Sequence, residues 1–195
     1  MKCLDDFITD DIRQRMEHRF FLRDSMSHEQ RVIRYASMIF TVLSQPYDLG
    51  NKKCSLLYHA ALLHDIGYEI SPRKHDAHTR HIILKDSFFD FWPQPERTML
   101  ALIAGGHRKK LGPELETLTP SNQHTVKQLA AILRIADAID YPRDERLAVC
   151  ETTLLQHHLN LTIHSSVIDQ VAARVAKKAA LFEAVFQISV VISKA

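Results

Sequence analysis

Residues 52–67 read KKCSLLYHAALLHDIG, and at helical spacing this stretch is apolar nearly all the way round, through Leu56, Leu57, Ala60, Ala61 and Leu63. A helix without a polar face has to be enclosed by other elements. The chain is therefore expected to build a helical body around this segment. The end of the segment raises a second question. His64 and Asp65 stand side by side directly after the apolar run, and Gly67 is the expected C-terminal stop. Charge at a buried helix end is costly without a partner. Either the pair is a local accident or something cationic sits between the two side chains.

Other segments carry the same 3.6-residue period. LDDFITDDIRQRMEHRFFLR (4–23) predicts a first, partly amphipathic helix. Ser25 or Ser27 can cap a second, with Val32, Ala36, Ile39, Phe40 and Leu43 on one face, ending near QPYDLGN. DAHTRHIILKD predicts a short helix, PERTMLALIAGGHRKK another opened by Pro95, and HTVKQLAAILRIADAIDY a strongly patterned one that stops before Pro142. GPELETLTPSN reads as a loop.

The pattern changes after that. ERLAVCETTL and HHLNLTIHSS alternate, with Leu159, Leu161 and Ile163 on one side and Asn160 and Thr162 on the other. DQVAARVAKKAALFEAVF is helical and QISVVIS is a strand. The expected fold is mainly α: a helical domain over residues 1–144 with a small ββαβ subdomain over 145–195.

A formal net charge of +2 in 195 residues gives no electrostatic reason to expect nucleic acid. No window approaches the ~20 apolar residues of a membrane span. The acidic N-terminus MKCLDDFITDD lacks the apolar core of an export signal. Cys3, Cys54 and Cys150 are scattered and odd in number, and read as reduced thiols of a cytoplasmic protein. Histidine is the unusual residue, with twelve copies.

Several histidines and acids fall at helix ends or inside apolar helices: His28, His64, Asp65, His78, His107 and Asp137. Asp137, flanked by Leu133, Ile135, Ala136 and Ala138, needs a partner most plainly. A lone histidine on an apolar face is ordinarily a core residue with its hydrogen bonds met, and His75, His81 and His124 read as surface or supporting positions. His75, on the polar turn near His78, is the reserve ligand. Imidazole and carboxylate together suit Mn, Fe, Zn, Co, Ni or Mg better than a thiolate-seeking metal. Ligands dispersed over several helices are how helical bundles assemble metal centres.

The order H…HD…D on predicted helices resembles the HD superfamily of metal-dependent phosphohydrolases. HDIGYEISPRKHDAHTRHIILKDS, LIAGGHRKK, LAAILRIADAID and KKAALFEAVF narrow the resemblance. From about residue 25 onward they are similar to the C-terminal HD-like region of the exopolyphosphatase/guanosine pentaphosphate phosphohydrolase family. The actin-like N-terminal half of that family, which holds its phosphatase site, has no counterpart in these 195 residues.

The resemblance implies one ion on His28, His64, Asp65 and Asp137, and in two-metal members a second on His78 and His107 with Asp65 shared. Asp65 is then the catalytic residue, and one or two divalent ions the cofactor. Such ions would activate water for attack on a phosphoryl group. Arg31, Arg108, Lys109, Arg134 and Arg143 are the expected phosphate-binding residues, since guanidinium forks match phosphate. The bland reading of HRKK is a solvated helix end that complements the helix dipole. Many superfamily members read HDIGK, whereas this chain has Tyr68, with Glu69 next to it. The expected activity is hydrolysis of a phosphate ester or anhydride of a nucleotide or similar small molecule. The alternative is a non-catalytic module binding polyphosphate or a guanosine nucleotide, dimeric through the ββαβ unit. No membrane or nucleic-acid partner is expected.

Overall fold

The computed structural model describes Gln14, His18, Arg19 and residues 26–195 except Lys109. Most of the helix expected over 4–23 therefore lies outside the described residues. The body is built from α1 (Met26–Ser44), α2 (Asn51–Leu63), α3 (His75–Lys85), α4 (Glu96–Gly105) and α5 (Pro120–Ile139). As its all-round apolar surface requires, α2 is central and packs against α1, α4 and α5. The periodic residues of α1, Val32, Ala36, Ile39, Phe40 and Leu43, are all buried. Burial of such side chains is worth roughly 1.5–3 kcal/mol each, so this face fixes how α1 lies on the bundle.

Two helix boundaries differ from the sequence expectation. α5 starts at Pro120 rather than near His124, because the Thr119 hydroxyl accepts from Asn122 N at 3.3 Å and Pro120 occupies the first turn. The preceding stretch, expected as plain loop, holds a single 3-10 turn at Pro113–Thr117. α2 ends at Leu63, ahead of Gly67, which falls in a 3-10 turn, Ile66–Glu69. Gly67 does not take a left-handed conformation. What it provides is room: a Cβ there would collide with the carbonyl oxygen of His75 and the amide of Thr79. The turn after Asp65 can thus lie directly on the start of α3.

The C-terminal part has β1 (Ala148–Leu154), β2 (His158–His164), α6 (Ile168–Lys178), α7 (Ala180–Phe186) and β3 (Ser189–Lys194). The single expected helix is broken at Ala179, giving ββααβ. Strand order is β1-β2-β3, with β1 antiparallel to β2 and a register shift at Cys150. β3 runs parallel to β2, so a crossover must join them, and α6 and α7 supply it. Leu159, Leu161 and Ile163 face inward, as the alternation predicted. α6 and α7 pack on α5, β1 packs on α1, and one buried core runs from Val32 to Ile188.

Contrary to the expectation of three reduced thiols, Cys54 is disulfide-bonded. Cys150 is free and exposed. No helix among the described residues is long and apolar enough to cross a membrane.

Candidate metal centre

One end of the bundle gathers the polar termini of all five body helices. The first turn of α1 supplies His28, the residues after α2 supply His64 and Asp65, and α3 begins with His75. His107 follows α4, Asp137 lies in the last turn of α5, and Asp140 directly follows it. His28, His64, His75 and His107 are all at most 3% exposed.

Each imidazole is oriented through Nδ1. His64 Nδ1 lies 2.7 Å from the Ala61 carbonyl, His107 Nδ1 2.6 Å from that of Ala104, and His75 Nδ1 3.1 Å from that of Pro72. A carbonyl oxygen can only accept, so Nδ1 carries the proton in His64 and His107, and in His75 when Pro72 rather than the Arg108 guanidinium, 3.3 Å from the same atom, engages it. His28 Nδ1 is 2.6 Å from Asp140 Oδ2 and donates to that carboxylate. With Pro72 engaged in this way, all four Nε2 atoms are lone-pair donors. They face one another in pairs: His28 to His64 at 3.2 Å and His75 to His107 at 3.1 Å. Two neutral Nε2 lone pairs at that separation repel unless a proton or a metal cation lies between them. The residues present therefore fit a divalent ion on the imidazoles' own geometry.

Asp65 joins the two pairs. Its Oδ1 is 3.3 Å from His75 Nε2 and 3.7 Å from both His64 and His107 Nε2, while Oδ2 is 3.7 Å from His28 Nε2. Two triads result, His28–His64–Asp65 and Asp65–His75–His107, each with its donor atoms within 4.8 Å of one another. Asp137 Oδ1 adds a carboxylate at 3.7 Å from His28 Nε2 and 3.9 Å from His64 Nε2. The HD segment is braced by Thr79, whose hydroxyl donates to the His64 carbonyl at 2.8 Å and accepts from Gly67 N at 3.0 Å.

The family description Ppx/GppA phosphatase, domain III, matches residues 13–174. The chain belongs to that family. None of the curated proteins matches it.

In this Ppx/GppA domain III, His28, His64, Asp65, His107 and Asp137 come together where the sequence reading put metal ligands, while His78 does not. His78 is half-buried and belongs to neither triad; His75 takes the position expected for it. The two residues are three apart and share much of one helix face. The turn before α3, with Lys74 in a left-handed conformation, decides which of them meets Asp65.

The expected phosphate ligands also divide. Both Asp140 oxygens accept from Arg31, at 2.6 and 3.0 Å, so its fork is engaged in holding the carboxylate that holds His28. Arg134 Nε donates to the Gly106 carbonyl at 2.6 Å. Arg108 and Arg143 stand at the rim, Arg143 Nη2 lying 3.5 Å from Asp65 Oδ2 and Arg108 Nη1 3.3 Å from His75 Nδ1. Lys109 lies outside the described residues. Tyr68 stacks on the His75 ring at 4.1 Å between centroids and stays 46% exposed. Sequence reasoning missed Asp140 and Lys178. Asp140 carried one signal, its place three residues after Asp137 in ADAID; Lys178, in AKKAA, carried none.

The electrostatics of the site are set by burial against mutual charge. Burial opposes a charged His64, but the carboxylates of Asp65 and Asp137 more than offset it and hold its pKa above the ordinary value. Burial likewise works against ionised Asp65, and the surrounding imidazoles outweigh it and hold the carboxyl low. His107 is pushed down to about 4, by burial first and by charge on His64 second.

These shifts predict an optimum in the stability of the metal-free protein. The His64 contribution is complete below the unfolded value of ~6.5 and is lost as pH rises through its raised folded value. The His107 contribution is complete above ~6.5 and is lost as pH falls toward 4, a loss of about 3 kcal/mol. Stability should thus peak near pH 6.5. Urea unfolding of the metal-free protein between pH 4 and 8 checks this, with His107→Gln as reference. The acid limb should flatten in the variant, and parallel curves would refute the assignment.

Proposed function

We propose that this domain is a metal-dependent phosphohydrolase that cleaves a phosphate ester or anhydride of a nucleotide or similar small molecule. The observation that carries the reading is the facing of two imidazole pairs, every Nδ1 engaged, with Asp65 between them. His28, His64, Asp65 and Asp137 would hold one divalent ion, and Asp65, His75 and His107 a second. A bound ion of the Mn, Fe, Co, Ni, Zn or Mg class lowers the pKa of coordinated water and offsets charge on a phosphoryl group. The protein's own groups do the rest. Hydrogen bonds at Nδ1 keep the four rings in one tautomer and one direction. Arg108 and Arg143 flank the opening, where guanidinium groups can bind phosphoryl oxygens. Tyr68, exposed beside His75, offers a ring face and a hydroxyl where many HD phosphohydrolases carry lysine.

The family match favours a second reading. It is to one domain of a phosphatase family, and such a domain could bind polyphosphate or a guanosine nucleotide without turning it over. Elemental analysis of protein purified without a histidine tag, followed by a phosphate-ester and anhydride panel with Mn, Mg, Co and Ni, separates the two. One or two ions per chain and release of phosphate are expected. Bound metal without release of phosphate from any panel member would favour the binding module, and protein that takes up no metal would end the hydrolase reading.

A further inference from the structure

His107 stands on a segment with little side-chain anchorage of its own. It follows Gly105 and Gly106, and the missing side chain of Gly105 lets the end of α4 approach α3: a Cβ there would meet the Asp76 carbonyl and the Arg80 side chain. The end of a helix also leaves carbonyls without intrahelical partners. Here three consecutive carbonyls, 106 to 108, are taken by cations from two other helices. Arg134 of α5 donates to Gly106 O at 2.6 Å. Lys178, the last residue of α6, donates from Nζ to His107 O at 3.2 Å and to Arg108 O at 3.3 Å.

We infer that Lys178 and Arg134 are positioning residues for the Asp65–His75–His107 ligand group, and that through Lys178 the ββααβ unit is a working part of the metal centre. Lys178 and Arg134 do not touch the ligand atoms. They act by fixing the main chain that carries the His107 ring, whose Nε2 is 3.1 Å from that of His75. Arg108, at the rim, is held by the same grip. The His28–His64–Asp65 group hangs on α1, α2 and Asp140 and meets this segment only through the shared Asp65 and the His64 ring, 5.1 Å from that of His107, so the loss of Lys178 falls hardest on the Asp65–His75–His107 half. The inference rests on the metal-binding part of the proposed function.

The test uses the full chain and the metal alone. Cobalt titration followed by its visible absorption should show two binding events in the wild type. In Lys178→Met one of them should weaken about tenfold or more, the range seen for groups that orient metal ligands, while the other changes much less. Lys178→Arg, which keeps the donors and the charge, should recover most of the loss, as a general loss of folding stability would not. A Lys178→Met titration that overlays the wild type would overturn the inference.

A metal-independent readout accompanies it. In the histidine ring signals of the metal-free protein, those of His75 and His107 should shift most in Lys178→Met and those of His28, which does not contact the His107 ring, least. Unmoved His107 signals overturn the positioning role whatever the metal content. Shifted signals in a protein that binds no cobalt sink the hydrolase reading and leave the positioning role standing.

Discussion

Asp65→Asn should abolish hydrolysis, lowering turnover by at least about a thousandfold, in the range for losing a group that organises the attacking water. Asp65 is the member common to both triads, so its loss removes one anionic ligand from each. Asparagine keeps the shape and a weaker carbonyl donor but not the charge that makes a divalent ion favourable among neutral imidazoles. Metal content should therefore fall for both groups together. The fold should survive. Asp65 is opposed by burial and held ionised by its histidine neighbours, and once it is neutral those rings can discharge rather than remain as uncompensated cations. Unfolding of the metal-free variant is expected within about 2 kcal/mol of the wild type, since a buried ion network contributes little net stability. Metal content, turnover and urea midpoint measured on one preparation decide the matter. Turnover retained at wild-type level with metal still bound would place the activation of water elsewhere.

What the amino-acid pattern disclosed follows from the range over which each interaction acts. The inward face of α1 and the alternation of β2 are local periodicities against a single core, and they read directly. The start of α5 is hard to see in the sequence because the capping signal Thr119-Pro120 sits inside a stretch that otherwise looks like loop. The distinction between His75 and His78 was not legible, because it depends on the geometry of the turn before α3 and on how closely Gly67 lets that helix approach. Asp140 is not singled out by the sequence pattern. Its partner His28 is 112 residues away, and only the assembled bundle brings the two to 2.6 Å. Lys178 is hidden for the same reason: its acceptors are main-chain carbonyls, which have no sequence signature. The metal ligands stood out because acids and histidines inside apolar helices need an explanation. The groups that orient them sit in unremarkable contexts.

The second large effect falls on one of those orienting groups. Asp140 is fully buried, accepts from His28 Nδ1 and is gripped by Arg31 through both oxygens. Asp140→Ala should cost about 3–5 kcal/mol, because it strands the Arg31 guanidinium, whose side chain is only 13% exposed, without its counter-ion. It should also weaken metal binding about 10–100-fold by releasing the His28 ring. These two consequences have different causes and can be separated. In the double variant Arg31→Met/Asp140→Ala no buried charge is left unpaired, so most of the stability should return, but His28 still lacks its acceptor and metal affinity should stay low. Denaturant unfolding of the metal-free proteins reads the first effect and metal titration the second. Should affinity recover along with stability in the double variant, Asp140 would be a counter-ion for Arg31 alone, and the imidazole of His28 would owe its direction to something else.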